Sequence, residues 1–149
     1  MIKSIVVGTD GSETAQGAVG FALDLSERFG ARLIPASAYV PEPERKLRAA
    51  REEAPADVQW TINPSGTVDA MLREVEDSAR ARGVEATPVA RTGDPADVLC
   101  EVASDYGADV VVVGSKGMDR RLLGSVPNTV SHRAGCSVMI VKTEDEEEA

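Results

Sequence analysis

Aromatic residues make up only 3% of this chain, although 42% of its residues are apolar. Its core must therefore be aliphatic, built from Val, Leu, Ile and Ala. Histidine occurs once, as His132, so no His/Asp/Ser constellation is evident. A lone histidine in a helical stretch reads as a surface or packing residue rather than an acid or base. The two cysteines, Cys100 and Cys136, lack metal-ligand spacing. They read as reduced and buried, and the expected compartment is the cytosol. No run approaches the roughly 20 apolar residues of a membrane span. Strand-like sequence begins at residue 2, so no signal peptide is expected. Positive charge is scarce: 16 Lys and Arg against 25 Asp and Glu give a net charge of −9. That balance argues against nucleic acid as the main partner, and against anionic membranes. Part of the excess lies in the run E-D-E-E-E at 144–148. Residues 144–149 are expected to form a solvated, disordered tail. Neither the G-x-x-x-x-G-K-[ST] nor the G-x-G-x-x-G phosphate motif occurs. No internal repeat and no paired acidic metal ligands are evident.

What is there centres on Ala108 to Pro127, A-D-V-V-V-V-G-S-K-G-M-D-R-R-L-L-G-S-V-P. Val110 to Val113 have the pattern of a strand buried on both faces of a parallel sheet. Gly114, Gly117 and Gly124 follow, and Ser125 precedes a helical pattern containing Val126 and Val130. Strand, glycine-rich loop and hydroxyl-capped helix start together make a place for an anion. Glycine lets backbone N–H groups approach it, and the helix dipole favours it. The same glycines could instead make only a tight strand-to-helix connection with no ligand. Lys116, Arg120, Arg121 and Arg133 concentrate the few cations in or near this stretch.

The rest of the chain, with its 149 residues, reads as one alternating α/β domain. A first strand spans residues 2–8. A helix over Glu13 to Phe29 carries Ala15, Ala18, Val19, Ala22, Leu25 and Phe29 on one face, capped by Ser12 or Thr14 and stopped by Gly30. A second strand lies near Arg32 to Val40, despite Pro35, which cannot donate to a ladder. Residues 41–66 form an irregular connection with a charged run at 45–53 and Trp60, read as a packing anchor. A helix follows over Thr67 to Arg82, with a core stripe of Val68, Met71, Leu72, Val75 and Ala79. A third strand spans Val84 to Arg91, and Pro88 marks it as an edge strand. Asp94 and Pro95 start a further helix that Gly107 ends. A helix over Ser125 to Ala134 and a last strand, Ser137 to Lys142, complete the series.

This order gives a mainly parallel sheet with right-handed crossovers. In such sheets ligands bind beyond the carboxyl ends of strands where the strand order reverses. If the first and fourth strands are neighbours, Gly8 to Ser12 faces Gly114 to Ser125 across one crevice. Asp10 then lies opposite the phosphate cradle. A carboxylate there suits a ribose hydroxyl or an adenine amino group; equally, Asp10 could do no more than shape the turn into its helix.

The segments I-V-V-G-T-D-G-S at 5–12, V-V-V-G-S-K-G at 111–117 and L-G-S-V-P-N-T-V at 123–130 resemble the universal stress protein family. The resemblance covers residues 1–143. It implies a Rossmann-like, doubly wound five-stranded parallel sheet of order 3-2-1-4-5 with helices on both faces. It also implies a homodimer pairing the last strands, which puts Val138, Met139, Ile140 and Val141 at the interface. In the nucleotide-binding branch, ATP is held with Mg²⁺ available to its phosphates. There Gly8, Thr9 and Asp10 match the family's loop near the adenosine, and Ser37 lies where adenine meets mainly backbone. Val113, Gly114, Lys116, Gly117, Gly124, Ser125 and Val126 match the segment around ribose and phosphates. The family pattern is G-x2-G-x9-G-[ST]; here six residues, Met118 to Leu123, separate Gly117 from Gly124. A shorter loop suits a shorter ligand, and relatives with a similar G-S-V-P ending resemble cyclic AMP binders. The implied function is adenine-nucleotide binding in stress regulation, with ATP first and cyclic AMP second. No catalytic set is evident, so enzymatic activity is limited to that of a weak ATPase. A dimeric interaction module without nucleotide is the reading from a different class.

Overall fold

The computed structural model describes residues 1–39, 64–115 and 125–142. The readings for the charged run at 45–53, Trp60 and the acidic tail lie outside the described residues. β1 (Ser4–Gly8) and β4 (Val110–Gly114) form where the sequence places continuous β-branched runs. Ile5, Val6, Val7, Val111 and Val112 are fully buried. Strands covered on both faces need no polar alternation, which is why the runs are continuous.

The chain alternates strand and helix: β1, α1 (Glu13–Phe29), β2 (Arg32–Tyr39), α2 (Pro64–Ala81), β3 (Val89–Thr92), α3 (Pro95–Asp105), β4, α4 (Ser125–Arg133) and β5 (Ser137–Val141). The five strands lie in the order β3-β2-β1-β4-β5, and every pair is parallel. Val6 sits opposite Ile34 on one side and Val111 on the other. Asp109 secures β4 beside β1. One of its carboxylate oxygens accepts from Lys3 N–H at 2.7 Å and Ser4 N–H at 3.1 Å, while its own N–H donates to the Ser4 carbonyl at 2.9 Å. The two backbone donors hold the Asp109 carboxyl below the usual carboxylate range.

Alternate strand residues point to opposite faces. Ile5, Val7, Leu33 and Val112 meet α1 and α2 on one side. Val6, Ile34, Val111 and Val113 meet α3 and α4 on the other. α1 starts at Ser12, whose hydroxyl accepts from Ala15 N–H at 3.2 Å, and Gly30 ends it in the left-handed region. Phe29, read as part of the α1 core face, is instead 44% exposed, at the last residue of the helix. Ser26, in contrast, is buried on α1 and its hydroxyl has no hydrogen-bond partner. Ser26→Ala is expected to raise stability by about 1 kcal/mol, because it removes an unpaired buried dipole at little loss of packing. A shift of the urea midpoint to higher concentration at constant slope checks this; a lower midpoint refutes it.

β3 is shorter than the strand expected over Val84 to Arg91. Pro88 has no N–H, and the segment before it follows β2 only through isolated contacts. Leu33 N–H donates to the Glu85 carbonyl and its carbonyl accepts from Thr87 N–H, both at 2.9 Å. Successive residues of a strand bond to opposite neighbours. Pro35, two residues after Leu33, thus turns its missing donor to this same side, where regular pairing begins only at Ala36 with Val89. The two prolines share one gap in the ladder, and β3 is the edge strand that Pro88 indicated. α2 begins earlier than Thr67, at Pro64, where a missing N–H costs nothing. Its stripe is core at Leu72, Val75 and Ala79, while Val68 and Met71 are half-buried.

Asp94 caps α3 by accepting from Ala96 and Asp97 N–H at 3.1 and 3.2 Å. Arg133 at the end of α4 donates to the Asp97 carboxylate at 2.5 Å and ties α4 to α3. Cys100 and Cys136 are free, and they are half-buried rather than buried. Each sits at the rim of the α3–α4 core, where one side of the residue reaches solvent. Burial is still the main influence on both thiols and pushes them up, away from the reactive thiolate. Among the described residues no helix is long and apolar enough to cross a membrane.

Candidate functional site

Because β1 and β4 are parallel neighbours, their carboxyl ends lie side by side at one crest of the sheet. A cleft of about 270 Å³ opens there. Its lining comes from Gly8, Thr9, Asp10 and Ser12 after β1, Ala36, Ser37 and Ala38 of β2, and Val113 and Gly114 of β4. Ala15 of α1, Pro95 and Leu99 of α3, and Val126 and Pro127 of α4 complete it.

Gly8 lies close against Leu99 in this wall. A Cβ at that position would lie 2.7 Å from Leu99 Cδ1 and 3.1 Å from Cδ2. The bare backbone of β1 and the Leu99 side chain therefore form one surface of the cleft. Thr9 is buried, with its N–H donating to the Ala36 carbonyl at 3.0 Å and its hydroxyl accepting from Gly11 N–H at 3.2 Å. Asp10 is exposed at the cleft, and its carboxylate accepts from Ser12 N–H at 2.9 Å. Asp10 thus shapes the turn into α1, one of the two roles open from the sequence. Gly11 has φ +81°, a conformation that other residues rarely adopt.

Ser37 is buried in β2 with small neighbours, Ala36 and Ala38, on either side. Ser115 N–H, just past β4, donates to the Val141 carbonyl at 2.9 Å, which fixes the direction in which the chain leaves the sheet. α4 begins at Ser125, and Pro127 in its first turn is fully buried. Asp10 is the only charged residue among the described residues of the lining. The rest of the wall is apolar or carries backbone and hydroxyl groups, a surface suited to a flat apolar ring with a few polar edges.

Of the residues singled out from the sequence, Gly8, Thr9, Asp10, Ser37, Val113, Gly114 and Val126 line the cleft together. Ser125 opens α4 beside Val126. Lys116, Gly117 and Gly124 lie outside the described residues. Val138, Met139, Ile140 and Val141 lie in β5, an edge strand, and are half-buried. Sequence reasoning missed Ala15, Ala36, Ala38, Pro95, Leu99 and Pro127. The local pattern of Leu99 and Pro95 points only to the core and to a helix start, and the fold alone brings α3 against Gly8.

A parallel 3-2-1-4-5 sheet whose cleft opens where the strand order reverses defines a doubly wound α/β protein with a ligand crevice at its switch point. The sequence profile of the Universal stress protein family matches residues 1–142, and the chain belongs to that family. A universal stress protein of Mycobacterium tuberculosis is 38% identical over 147 residues, which cover 95% of this chain and 97% of the relative. A universal stress protein crystallised in complex with cAMP has a TM-score of 0.74 at 34% identity, over 96% of this chain and 98% of the other. A family member from Arabidopsis thaliana with AMP bound has a TM-score of 0.73 over 99% of this chain and 95% of its own. At 20% identity, that likeness shows the fold alone.

Proposed function

We propose that this protein binds an adenine nucleotide in the β1–β4 cleft and acts as a regulatory protein of the stress response. The observation that carries this reading is the convergence of the β1–α1 loop, the end of β2 and the start of α4 on one cleft. Ala36, Ala38, Leu99 and Val113 offer apolar walls for a base, and Gly8 leaves backbone open to the ligand. The volume lies just below the roughly 300–1,000 Å³ of ligand pockets, in keeping with one small ligand. In this reading Asp10 receives ribose hydroxyls or the adenine amino group, and the Ser37 backbone meets the adenine edge. Gly114, Gly117, Gly124, Ser125 and the Val126 N–H surround ribose and phosphates, with Lys116 adding charge. ATP is the first ligand, and Mg²⁺ would be held by its phosphates rather than by protein carboxylates.

A second reading, cyclic AMP in the same cleft, is supported by two specific observations. Six residues separate Gly117 from Gly124, where the family pattern has nine. The relative at 34% identity was crystallised with cAMP. Both readings make the protein primarily a binder, with at most the activity of a weak ATPase. The dimer is proposed to pair β5 with β5 of a second copy. A sheet edge bearing half-buried Val138, Met139, Ile140 and Val141 favours such pairing. Residues 1–143 form the domain, 144–149 its tail, and the cytoplasm is the proposed location.

Calorimetric titration of nucleotide-stripped protein with ATP and Mg²⁺, then with cyclic AMP, tests the proposal. Saturable binding of ATP supports the first reading, and preference for cyclic AMP supports the second. No heat with either ligand, from folded protein, overturns both.

A further inference from the structure

The β1–α1 loop that borders the cleft rests on a soft contact from a distant helix. A Cβ on Gly11 would lie 2.7 Å from the Met71 sulfur and 3.4 Å from its Cγ, so the thioether packs directly on the Gly11 backbone. Met71 belongs to α2, whose Leu72, Val75 and Ala79 are anchored in the core. It therefore couples a fixed helix to a loop that is also braced from within. Those inner braces include Gly11 N–H to Thr9 at 3.2 Å, Ser12 N–H to Asp10 at 2.9 Å, and Ala15 N–H to Ser12 at 3.2 Å. Met71 is half-buried, so one side of its sulfur is turned to the loop while the residue stays within reach of solvent.

We propose that Met71 is an oxidation site whose state sets the conformation of the β1–α1 loop and, through it, the affinity of the cleft. The oxidant is a hydroperoxide. The sulfur lone pair attacks the terminal peroxide oxygen, an S–O bond forms as the O–O bond breaks, and the proton carried on the transferred oxygen passes to the departing hydroxide or alkoxide, which leaves as water or alcohol. Sulfur loses two electrons and the peroxide gains them. The product replaces a soft apolar group with a polar one that seeks water. No space separates sulfur from Gly11, so the sulfoxide turns outward or pushes the loop away. Gly11 at φ +81° has no side chain of its own to restore the contact. Reduction by a methionine sulfoxide reductase restores it.

The link to affinity rests on the nucleotide reading, whereas the link to the loop does not. The test therefore has two readouts. Purified protein is treated with graded hydrogen peroxide, and sulfoxide at each methionine is measured by peptide mass spectrometry. Met1, 97% exposed, calibrates the dose. Hydrogen exchange then follows the Gly11 and Ser12 amides, and calorimetry follows ATP and cyclic AMP. Oxidation at Met71 is expected to speed exchange of both amides and to weaken nucleotide binding roughly fivefold, the effect of about 1 kcal/mol of lost loop order. Met71→Leu should keep the packing and make both readouts indifferent to peroxide. Unchanged exchange in fully Met71-oxidised protein overturns the proposal. So does a Met71 that stays reduced at doses that oxidise Met1, or a Met71→Leu protein that still responds. If neither nucleotide binds untreated protein, the nucleotide reading fails while the exchange readout still decides on the loop.

Discussion

Gly8→Val lowers nucleotide affinity by at least roughly 100-fold, about 2.7 kcal/mol of binding free energy. The backbone of Gly8 is not in the left-handed region, so the loss comes from space and not from strain. Even a single methyl group at Gly8 meets Leu99 Cδ1 at 2.7 Å and Cγ at 3.5 Å. The Leu99 tip can turn aside for an alanine, and Gly8→Ala is expected to weaken binding far less. A branched valine leaves no such escape. It either fills the cleft itself or drives Leu99 into it, because Leu99 lines the same wall. Titration of both variants, beside thermal melts showing that each is folded, checks the pair. Wild-type affinity in folded Gly8→Val would remove this wall from the ligand site.

Ile34→Ala is expected to cost about 3 kcal/mol of folding stability, within the 2–5 kcal/mol typical of such core truncations. Ile34 is fully buried in β2, directly beside Val6 of β1, in the cluster that includes Val98 and Val102 of α3. The paired strand β1 and the covering helix are fixed, so the site collapses little and a void remains. For a domain whose total stability is of order 5–15 kcal/mol, this is a large share. Phe21→Ala serves as the contrast. Phe21 is 44% exposed on α1, and its truncation should change the urea midpoint little. Equal losses in the two variants would contradict the assignment of the core.

The proposed ligand contact of Asp10 is compatible with its observed role in the turn. Its carboxylate already bonds the Ser12 amide and so sets the start of α1. It is also exposed on the cleft lining, where the proposed nucleotide would meet it. Turn-shaping and ligand contact need different oxygen lone pairs and do not exclude one another.

Much of the fold was legible in the chain because its signals are local. The bounds of α1 follow from Ser12 at one end and Gly30 at the other, and both caps operate as such. Asp94 and Pro95 mark the start of α3. Continuous valines mark β4 as covered on both faces, and Pro88 marks β3 as an edge. Each of these is a property of residues a few positions apart, governed by cap hydrogen bonds, the missing proline N–H or side-chain periodicity.

What the tertiary structure alone decided are the contacts between distant segments. No local pattern brings Leu99 to Gly8, Met71 to Gly11, or Pro95 and Pro127 to one cleft with Ser37. The partial exposure of Cys100, Cys136 and Phe29 is likewise a property of the packed fold and not of their local pattern. Local hydrogen bonding and periodicity settle which segments become strands and helices. The side-chain surfaces that line a site form only when separate elements pack against one another, and that packing is set by volume and shape summed over the whole chain.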